Sequence, residues 1–226
     1  MKKSTLIAGM AILGSFLTLT SANLKLKQEY KAGNIRKVLV EKKLPSFHFI
    51  KETLDRHIYY GGSFVVTNHK DQANSVSFSL NAQGRILFDV ANDTLYIKNN
   101  PLDKDNQSLN ALIYINDVEL KNITTTSGTF TIAQEKRDSF SIIARGVSKI
   151  SLTFSKLNKL SIRGFDDAKI TVSAPDTLSH AYIQMEDRSI FEATDLVINQ
   201  KIVKLGIGVS LQLRGHSLEN FGVKRN

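Results

Sequence analysis

A repeat of 20 or 21 residues fills the second half of the chain and constrains its fold more than any other feature. The starts of four gapless segments are separated by 20, 21 and 20 residues: IIARGVSKISL (142–152), IRGFDDAKITV (162–172), IQMEDRSIFEA (183–193) and VKLGIGVSLQL (203–213). A fifth copy, ITTTSGTFTI (123–132), fits with one residue deleted. Such a period is typical of a solenoid, in which each coil buries its apolar face against the next coil.

Apolar and polar residues alternate within each copy. Ile150 and Leu152 flank Ser151, and Ile170 and Val172 flank Thr171. A period of two residues indicates a β-strand with one buried and one solvated face. Stacked coils, about 4.8 Å apart, would align these residues in two interior columns: Ile150, Ile170, Phe191 and Leu211 in the first, and Leu152, Val172, Ala193 and Leu213 in the second.

The repeat therefore predicts an all-β fold: a right-handed parallel β-helix, or β-solenoid, with coils of about 20 residues. We expect it to be capped at both ends and preceded by an N-terminal export helix. Residues that favour turns separate the half-strands: Gly146, Gly164, Gly206, Gly208, Asp166, Asp167 and Asp187. An antiparallel sandwich also suits closely spaced strands, but the gapless register of four copies favours the solenoid.

The first 22 residues have the pattern of a secretory signal peptide. Lys2 and Lys3 precede an apolar stretch at 6–19, and Thr20-Ser21-Ala22 supplies small residues for cleavage after Ala22. The apolar stretch is shorter than the ~20 residues of a spanning helix, but extension through 22–26 would make an uncleaved inner-membrane anchor. We expect export to the periplasm or cell surface. The chain has no cysteine, so neither a lipidated cysteine nor a disulfide is expected.

The positive charge is concentrated near the N-terminus. Residues 1–56 hold 11 Lys/Arg and 4 Asp/Glu, a net charge of +7 out of a total of +9. Residues 23–43 therefore form a predicted basic tether, ahead of a β-solenoid domain at 44–226 whose clearest repeats span 123–213. The domain lacks the excess positive charge of a nucleic-acid-binding domain, and we expect no nucleic-acid partner. Residues 1–43 predict membrane association, because a basic segment is attracted to anionic lipid.

Strand patterns also occur before the repeats, with less regular spacing. A solenoid needs an atypical layer to cover its exposed edge, and this region predicts that cap. The tail from Gly215, with Leu218 and Phe221, is predicted to close the other end. The early strands are predicted at 47–50, 58–60, 64–67, 76–80, 86–90, 94–98 and 112–115.

Several segments match the pattern of a known protein family. They are LPSFHFIK (44–51), NDTLYIKNN (92–100), INDVELKNITTTSG (115–128) and the coil corners at 148–152, 168–172, 189–193 and 210–213. On these residues the chain resembles, over about 44–218, the putative auto-transporter adhesin, head GIN domain family of Bacteroidetes-type exported proteins. The resemblance implies a β-solenoid displayed outside the cytoplasm, with a role in adhesion and no established catalytic residues.

Four carboxylates occupy adjacent predicted turns, at Asp166, Asp167, Glu186 and Asp187. In the repeat register Asp166 stacks on Asp187, and Asp167 stacks on Arg188. Such a cluster could bind Ca²⁺ or serve a sugar lyase or hydrolase. Aspartate is also a preferred turn residue, and Arg188 offsets one charge. We therefore assign no catalytic, cofactor or metal residue, and keep the acidic turns as a speculative site.

The remaining motifs favour binding over catalysis. Gly146-Val147-Ser148 lacks the second glycine of a nucleophile elbow, so Ser148 is interpreted as a small corner residue. We expect a non-enzymatic adhesion or binding module, without a cofactor, whose partner is an envelope protein or a glycan. The alternative is a polysaccharide-active enzyme or calcium-binding protein that uses the acidic turns. The predicted binding surface is an outward polar ladder of Lys149, Ser151, Lys169, Thr171 and Gln212.

Overall fold

Fifteen β-strands and one short helix make up the part of the chain described by the computed structural model, namely residues 39–54, 63–67, 73–79, 82–103, 112–116, 119–174 and 176–221. The predicted signal peptide or anchor at 1–22, most of the tether and the predicted strand at 58–60 lie outside these residues. Within the described ranges, no helix is both long enough and apolar enough to cross a membrane.

The elements follow one another as short strands, with two long exceptions. They are β1 (Leu39–Lys43), β2 (Phe49–Glu52), β3 (Ser63–Thr67), β4 (Ser75–Ser79), β5 (Ile86–Ala91), β6 (Thr94–Asn99), β7 (Leu112–Asn116), β8 (Asn122–Thr125), β9 (Thr129–Ala144), β10 (Lys149–Gly164), β11 (Lys169–Ser173), β12 (Leu178–Met185), β13 (Ile190–Thr194), β14 (Ile198–Leu205), β15 (Ser210–Arg214) and α1 (His216–Asn220).

The strands stack in parallel on two faces, which confirms the predicted β-solenoid. Face 1 consists of β7, β3, the first halves of β9 and β10, β11, β13 and β15, in that order. Face 2 consists of β6, β2, β8, the second halves of β9 and β10, β12 and β14. The handedness stays a prediction.

Both predicted interior columns are present on face 1. Ile150 pairs with Ile170, which pairs with Phe191, which pairs with Leu211. The second column runs from Leu152 through Val172 and Ala193 to Leu213 by the same three pairings. The first column continues toward the N-terminal layers through Phe130, Phe64 and Ile113. The rings of Phe64 and Phe130 stack with their centroids 4.6 Å apart. Repeated positions therefore meet in the core, as the register requires.

The N-terminal region contributes paired strands to both faces, so it is more than a cap. The layer of β2 and β3 lies between the layer of β6 and β7 and the layer of β8 and β9, out of chain order. In the described residues, the antiparallel pairs are β1 with β4, β4 with β7 and β5 with β6. β1 covers residues 39–43 of the predicted tether and pairs with β4.

The corners of the coils carry the predicted turn residues, with one correction. Gly146, Asp166, Asp187 and Gly208 all have positive φ, between 51° and 76°. Gly164 was predicted as a turn residue, but it is the last residue of β10. A Cβ at Gly164 would lie 2.5 Å from the Cε of Met185 in the next layer. The glycine therefore makes room for a large core side chain.

A buried carboxylate interrupts the apolar interior of face 2. Glu52 is fully buried and pairs in register with Ile97. It accepts hydrogen bonds from the backbone N–H groups of Thr126 and Gly128, each at 3.0 Å, and of Ser127 at 3.2 Å. The hydroxyls of Thr125 and Ser127 donate to it as well. A buried carboxylate is tolerated where donors saturate its oxygens.

A second polar junction joins three loops of the N-terminal layers. His48 Nδ1 lies 2.7 Å from Asp93 Oδ1, and His48 Nε2 lies 2.8 Å from Glu119 Oε2. The hydrogen bonds to Glu119 and then to Asp93 raise the pKa of His48 above its ordinary value of 6.5, against the opposing effects of desolvation and of the charge of Lys121. The hydrogen bond from His48 lowers the pKa of Glu119 below 4.5. The junction is therefore strongest while the histidine is protonated and the glutamate is ionised.

Replacing Glu52 by glutamine should destabilise the fold by about 3 kcal/mol, because an amide NH₂ would then face backbone donors in a buried site. Thermal or urea unfolding of the full chain measures the change. Glu41→Gln is the matched control, since Glu41 is exposed on β1. Equal stability of the two variants would contradict the role assigned to Glu52.

The stabilisation from His48 should depend on pH. A raised histidine pKa contributes stability that is complete below about pH 6.5 and is lost as the pH rises through the folded-state pKa. The lowered pKa of Glu119 contributes stability that is lost at the acidic end. The difference in melting temperature between the wild type and His48→Gln should therefore be largest near pH 5–6 and should shrink above neutrality. A difference that is independent of pH would contradict the assignment.

Candidate binding groove on face 2

Two outward rows of side chains cross the strands of face 2. The first row contains Ser139, Lys159, His180 and Gln200, and the second contains Ser141, Ser161, Tyr182 and Ile202. The positions within each row are 20, 21 and 20 residues apart, the same intervals as in the repeat. The strand register therefore brings together side chains that are far apart in sequence.

These rows line a groove of about 570 Å³ on the outer surface. Tyr182 and the exposed Ile202 contribute apolar lining, and hydroxyl, amide and imidazole groups contribute polar lining. The buried Phe140, Leu160 and Ala181 lie beneath the groove, with their side chains on the core side of the sheet. Lys121, Lys159 and Lys201 also line it, and its described lining contains no carboxylate. A concave site with an apolar lining and several polar groups is the common form of a ligand-binding surface.

The side chain of Tyr182 is held in place beside the groove. Its hydroxyl donates to Gln184 Oε1 at 2.7 Å, and the Gln184 amide donates to Glu186. The guanidinium carbon of Arg163 lies 5.7 Å from the centre of the tyrosine ring, and Lys204 Nζ lies 5.8 Å from it. Cations at these distances are attracted to an aromatic ring. The ring is therefore an ordered, half-buried surface before any ligand arrives.

The predicted polar ladder exists, but on the other face. Lys149 pairs with Lys169, and Ser151 pairs with Thr171, along the outer side of face 1. Lys169 Nζ lies 2.7 Å from Glu192 Oε1, and the Thr171 hydroxyl donates to Glu192 Oε2 at 2.9 Å. The hydrogen bond from Lys169 lowers the pKa of Glu192 below 4.5. Part of this ladder is therefore occupied by contacts within the protein.

Two further grooves have lining residues of both charges. One of about 640 Å³ is lined by Glu41 and Lys43 near β1. Another of about 480 Å³ is lined by Lys136 and Lys156 together with Asp138 and Asp176. Opposite charges within one lining offset each other, so these grooves offer a ligand less net charge than the groove on face 2.

The acidic turns make local contacts. Asp166 accepts a hydrogen bond from the backbone N–H of Gly146 at 3.2 Å. Arg188 Nη2 lies 3.2 Å from Asp167 Oδ2, in agreement with the predicted stacking of these two residues. Glu186 accepts from the Gln184 amide, and Asp187 has a φ of 51° in its turn. Among the residues that the structure describes, no group of three or more acidic, histidine or cysteine side chains could hold a metal ion. Calcium binding at these turns stays a prediction.

Ser148 lies inside the core, which agrees with its interpretation as a small residue at a corner of the coil. It is fully buried, and Ala168 and Ser189 occupy the following corners and are equally buried. Its hydroxyl has no hydrogen-bond partner among the described residues. A nucleophile needs a base within hydrogen-bonding reach and access to substrate, so the geometry of Ser148 does not suit that role.

The arrangement defines a β-solenoid with a hydroxyl-rich groove on one face. A putative adhesin from Bacteroides fragilis is similar to it, at 14% identity and a TM-score of 0.47, over 78% of this chain and 95% of that one. A putative adhesin from Parabacteroides distasonis is similar at 12% identity and a TM-score of 0.44, over 77% and 96% of the two chains. A putative lipid binding protein from the same species is similar at 17% identity and a TM-score of 0.38, over 78% and 96%. No family model matches the chain, and no curated protein does.

Proposed function

We propose that this chain is an exported, non-enzymatic binding module of the cell envelope, related to head GIN domain adhesins, and that its groove on face 2 binds a glycan. The observation that carries the proposal is the row of hydroxyl, amide and aromatic side chains along that groove. A glycan presents hydroxyl groups and apolar C–H faces, and this lining complements both.

The polar groups of the groove suit hydroxyl-rich ligands. Ser139, Ser141 and Ser161 can each donate and accept a hydrogen bond, and Gln200 has both functions in one amide. The ring of Tyr182 supplies a flat apolar surface with its hydroxyl already bonded to Gln184. Because the strands fix these groups, binding requires little ordering of side chains, which favours affinity.

Binding without turnover fits the described lining better than hydrolysis does. Glycoside hydrolases ordinarily use a pair of carboxyl groups that flank the scissile bond. The described lining of the groove contains no such group. Asp166 and Asp167 instead occupy turns at the end of the strands, where each already has a partner.

A panel of neutral and acidic polysaccharides tests the proposed binding. The full chain should bind at least one member, and Tyr182→Ala should weaken that binding roughly tenfold, about 1.4 kcal/mol, because the stacking surface is lost. Tyr96→Ala is the matched control, since Tyr96 is also half-buried and lies in β6 on face 2, outside the groove.

Two outcomes of this panel would contradict the proposal. One is that the protein binds none of the glycans although its cooperative unfolding transition shows that it is folded. The other is the release of shortened products from a glycan, which would show an enzyme. In that case Asp166→Ala would decide whether the acidic turns carry the reaction.

Export is a separate part of the proposal and rests on the sequence of residues 1–22. Cells that produce the full chain should hold it in the envelope fractions after fractionation. If the signal peptide is cleaved, the mass of the protein should match a chain that begins at Asn23. If the segment is an anchor, the full-length protein should be found in the membrane fraction. Full-length protein confined to the cytosolic fraction would contradict export.

A further inference from the structure

We infer that the C-terminal end of the solenoid binds an extended, acidic segment of another protein, which adds to β14 as one more parallel strand. This inference goes beyond the proposed glycan site, because it concerns a different surface and a different class of partner. It depends on three features of the last coil: an unpaired strand edge, a core side that stays open, and positive charge without carboxylates.

The outer edge of β14 is unpaired over most of its length. Within the part of the chain that the structure describes, β14 pairs only with β12. The N–H of Gly206 donates to the carbonyl of Met185 at 2.7 Å, on the β12 side. Because the backbone groups of successive residues in a strand point to opposite sides, those of Lys201, Val203 and Leu205 face away from β12. Such a row of N–H and C=O groups is a template for another strand.

The helix α1 covers this edge only where β14 begins. The Asn220 side chain accepts a hydrogen bond from the N–H of Ile198 and donates one to the carbonyl of Ile198, each at 3.1 Å. One side chain thereby bonds both backbone groups, as a neighbouring strand would. Among the described residues, no side chain makes the same contact with β14 beyond Ile198. The edge is therefore closed at its first residue and open further along.

The core side of the last coil is open, unlike that of the coil before it. Met185 is fully buried, whereas Leu205, which pairs with it, is 45% exposed. Val203 is only partly buried, although its partner Ile183 is fully buried. Ile207, at the following corner, is 95% exposed. A further strand would cover Val203 and Leu205 as β14 covers β12, and the removal of this apolar surface from water favours its addition.

The last coil carries positive charge and no carboxylate. Residues 198–214 contain Lys201, Lys204 and Arg214 but no Asp or Glu, a net charge of +3. Arg214 lies in β15, so the two lysines are the cations beside the free edge of β14. Neither lysine forms an ion pair in the described part of the chain. Their Nζ atoms lie 5.6 Å and 5.8 Å from the centres of aromatic rings, where they stay accessible to a carboxylate.

This charge selects the occupant of the edge. A second copy of the chain, joined end to end through β14, would bring two groups of lysines together without a carboxylate between them, which is unfavourable. An acidic segment would instead place one carboxylate beside Lys201 on the core side and another beside Lys204 on the outer side. Its apolar residues would lie beside Ile202, Val203 and Leu205. In strand addition, main-chain hydrogen bonds supply affinity and alternate side chains supply specificity.

A synthetic peptide of the length of β14, eight residues, tests the strand addition on the full chain. It carries glutamates opposite Lys201 and Lys204, valines opposite residues 202, 203 and 205, and threonines elsewhere. We expect it to bind at least about tenfold more tightly than the same peptide with lysines in place of the glutamates. Added salt should weaken its binding, because exposed charges are screened. A peptide of the same composition in scrambled order should bind as weakly as the lysine peptide.

Hydrogen exchange locates the bound peptide. Binding should slow the exchange of the outward N–H groups of Lys201, Val203 and Leu205 and should leave that of β1, at the other end of the solenoid, unchanged. Val203→Pro removes one outward donor without breaking a hydrogen bond to β12. This variant should bind the glutamate peptide at least about tenfold more weakly, with a cooperative unfolding transition that shows it is folded.

Charge reversal tests the two lysines. Lys201→Glu combined with Lys204→Glu should exchange the preference, so that the lysine peptide binds more tightly than the glutamate peptide. Lys51→Glu combined with Lys149→Glu is the matched control, because it reverses the same charge at exposed positions on other strands. The control should change the affinity for the glutamate peptide by less than about twofold. An exchange of preference cannot result from unfolding, which would weaken the binding of both peptides.

The outcomes are independent of glycan binding on face 2. Equal binding of the three peptides, or slowed exchange at a site other than β14, would overturn the assigned edge. Failure of the glutamate peptide to bind at all would overturn the strand addition. A dimer of the full chain that forms with rising concentration, with slowed exchange at residues 201–205, would overturn the acidic partner in favour of a second copy.

Discussion

The parallel register between coils is the constraint on which the rest of the structure depends. Each strand pairs residue by residue with the strand one coil away, so any interior position recurs as a column and any outward position recurs as a row. The same register that stacks Ile150 on Ile170 also places Lys159 beside His180. Core and groove are therefore two consequences of one set of backbone hydrogen bonds, because alternate side chains of a strand point to opposite sides.

That constraint explains which parts of the fold could be predicted from the sequence. A gapless period of 20 or 21 residues specified the columns of face 1, and the structure confirms each pairing. The layer order near the N-terminus could not be obtained in this way. β2 and β3 insert between layers that come later in the chain, and their pairing depends on long-range contacts that no local spacing encodes. Likewise, the half-strands predicted from the repeat did not reveal that β9 and β10 are continuous 16-residue strands.

Glu52 shows the limit of a hydrophobic pattern. Alternation from Ile50 places position 52 on the interior side, and a glutamate there contradicts the pattern taken alone. The contradiction disappears once the turn at 125–128 closes around it, because four backbone N–H groups, three from this turn and the fourth from Leu54, and two hydroxyls satisfy the carboxylate. Gly128 is part of this arrangement, since a Cβ there would lie 2.7 Å from the Phe130 ring. The Ser127-Gly128 pair was visible in the sequence, but its carboxylate partner, more than 70 residues away, was not.

The candidate site was harder to predict than the core because the sequence signals for outward positions are weak. Polar residues on any solvated strand alternate with apolar ones, so the ladder at Lys149 and Lys169 had the same pattern as the row at Lys159 and His180. The two differ in their neighbours: Glu192 compensates Lys169, whereas the described groove lining contains no carboxylate. Net charge did not reveal this difference, because a domain total of +2 sums over both faces. For a solenoid, charge is informative when it is summed along each outward row, since a row is the unit that a linear ligand contacts.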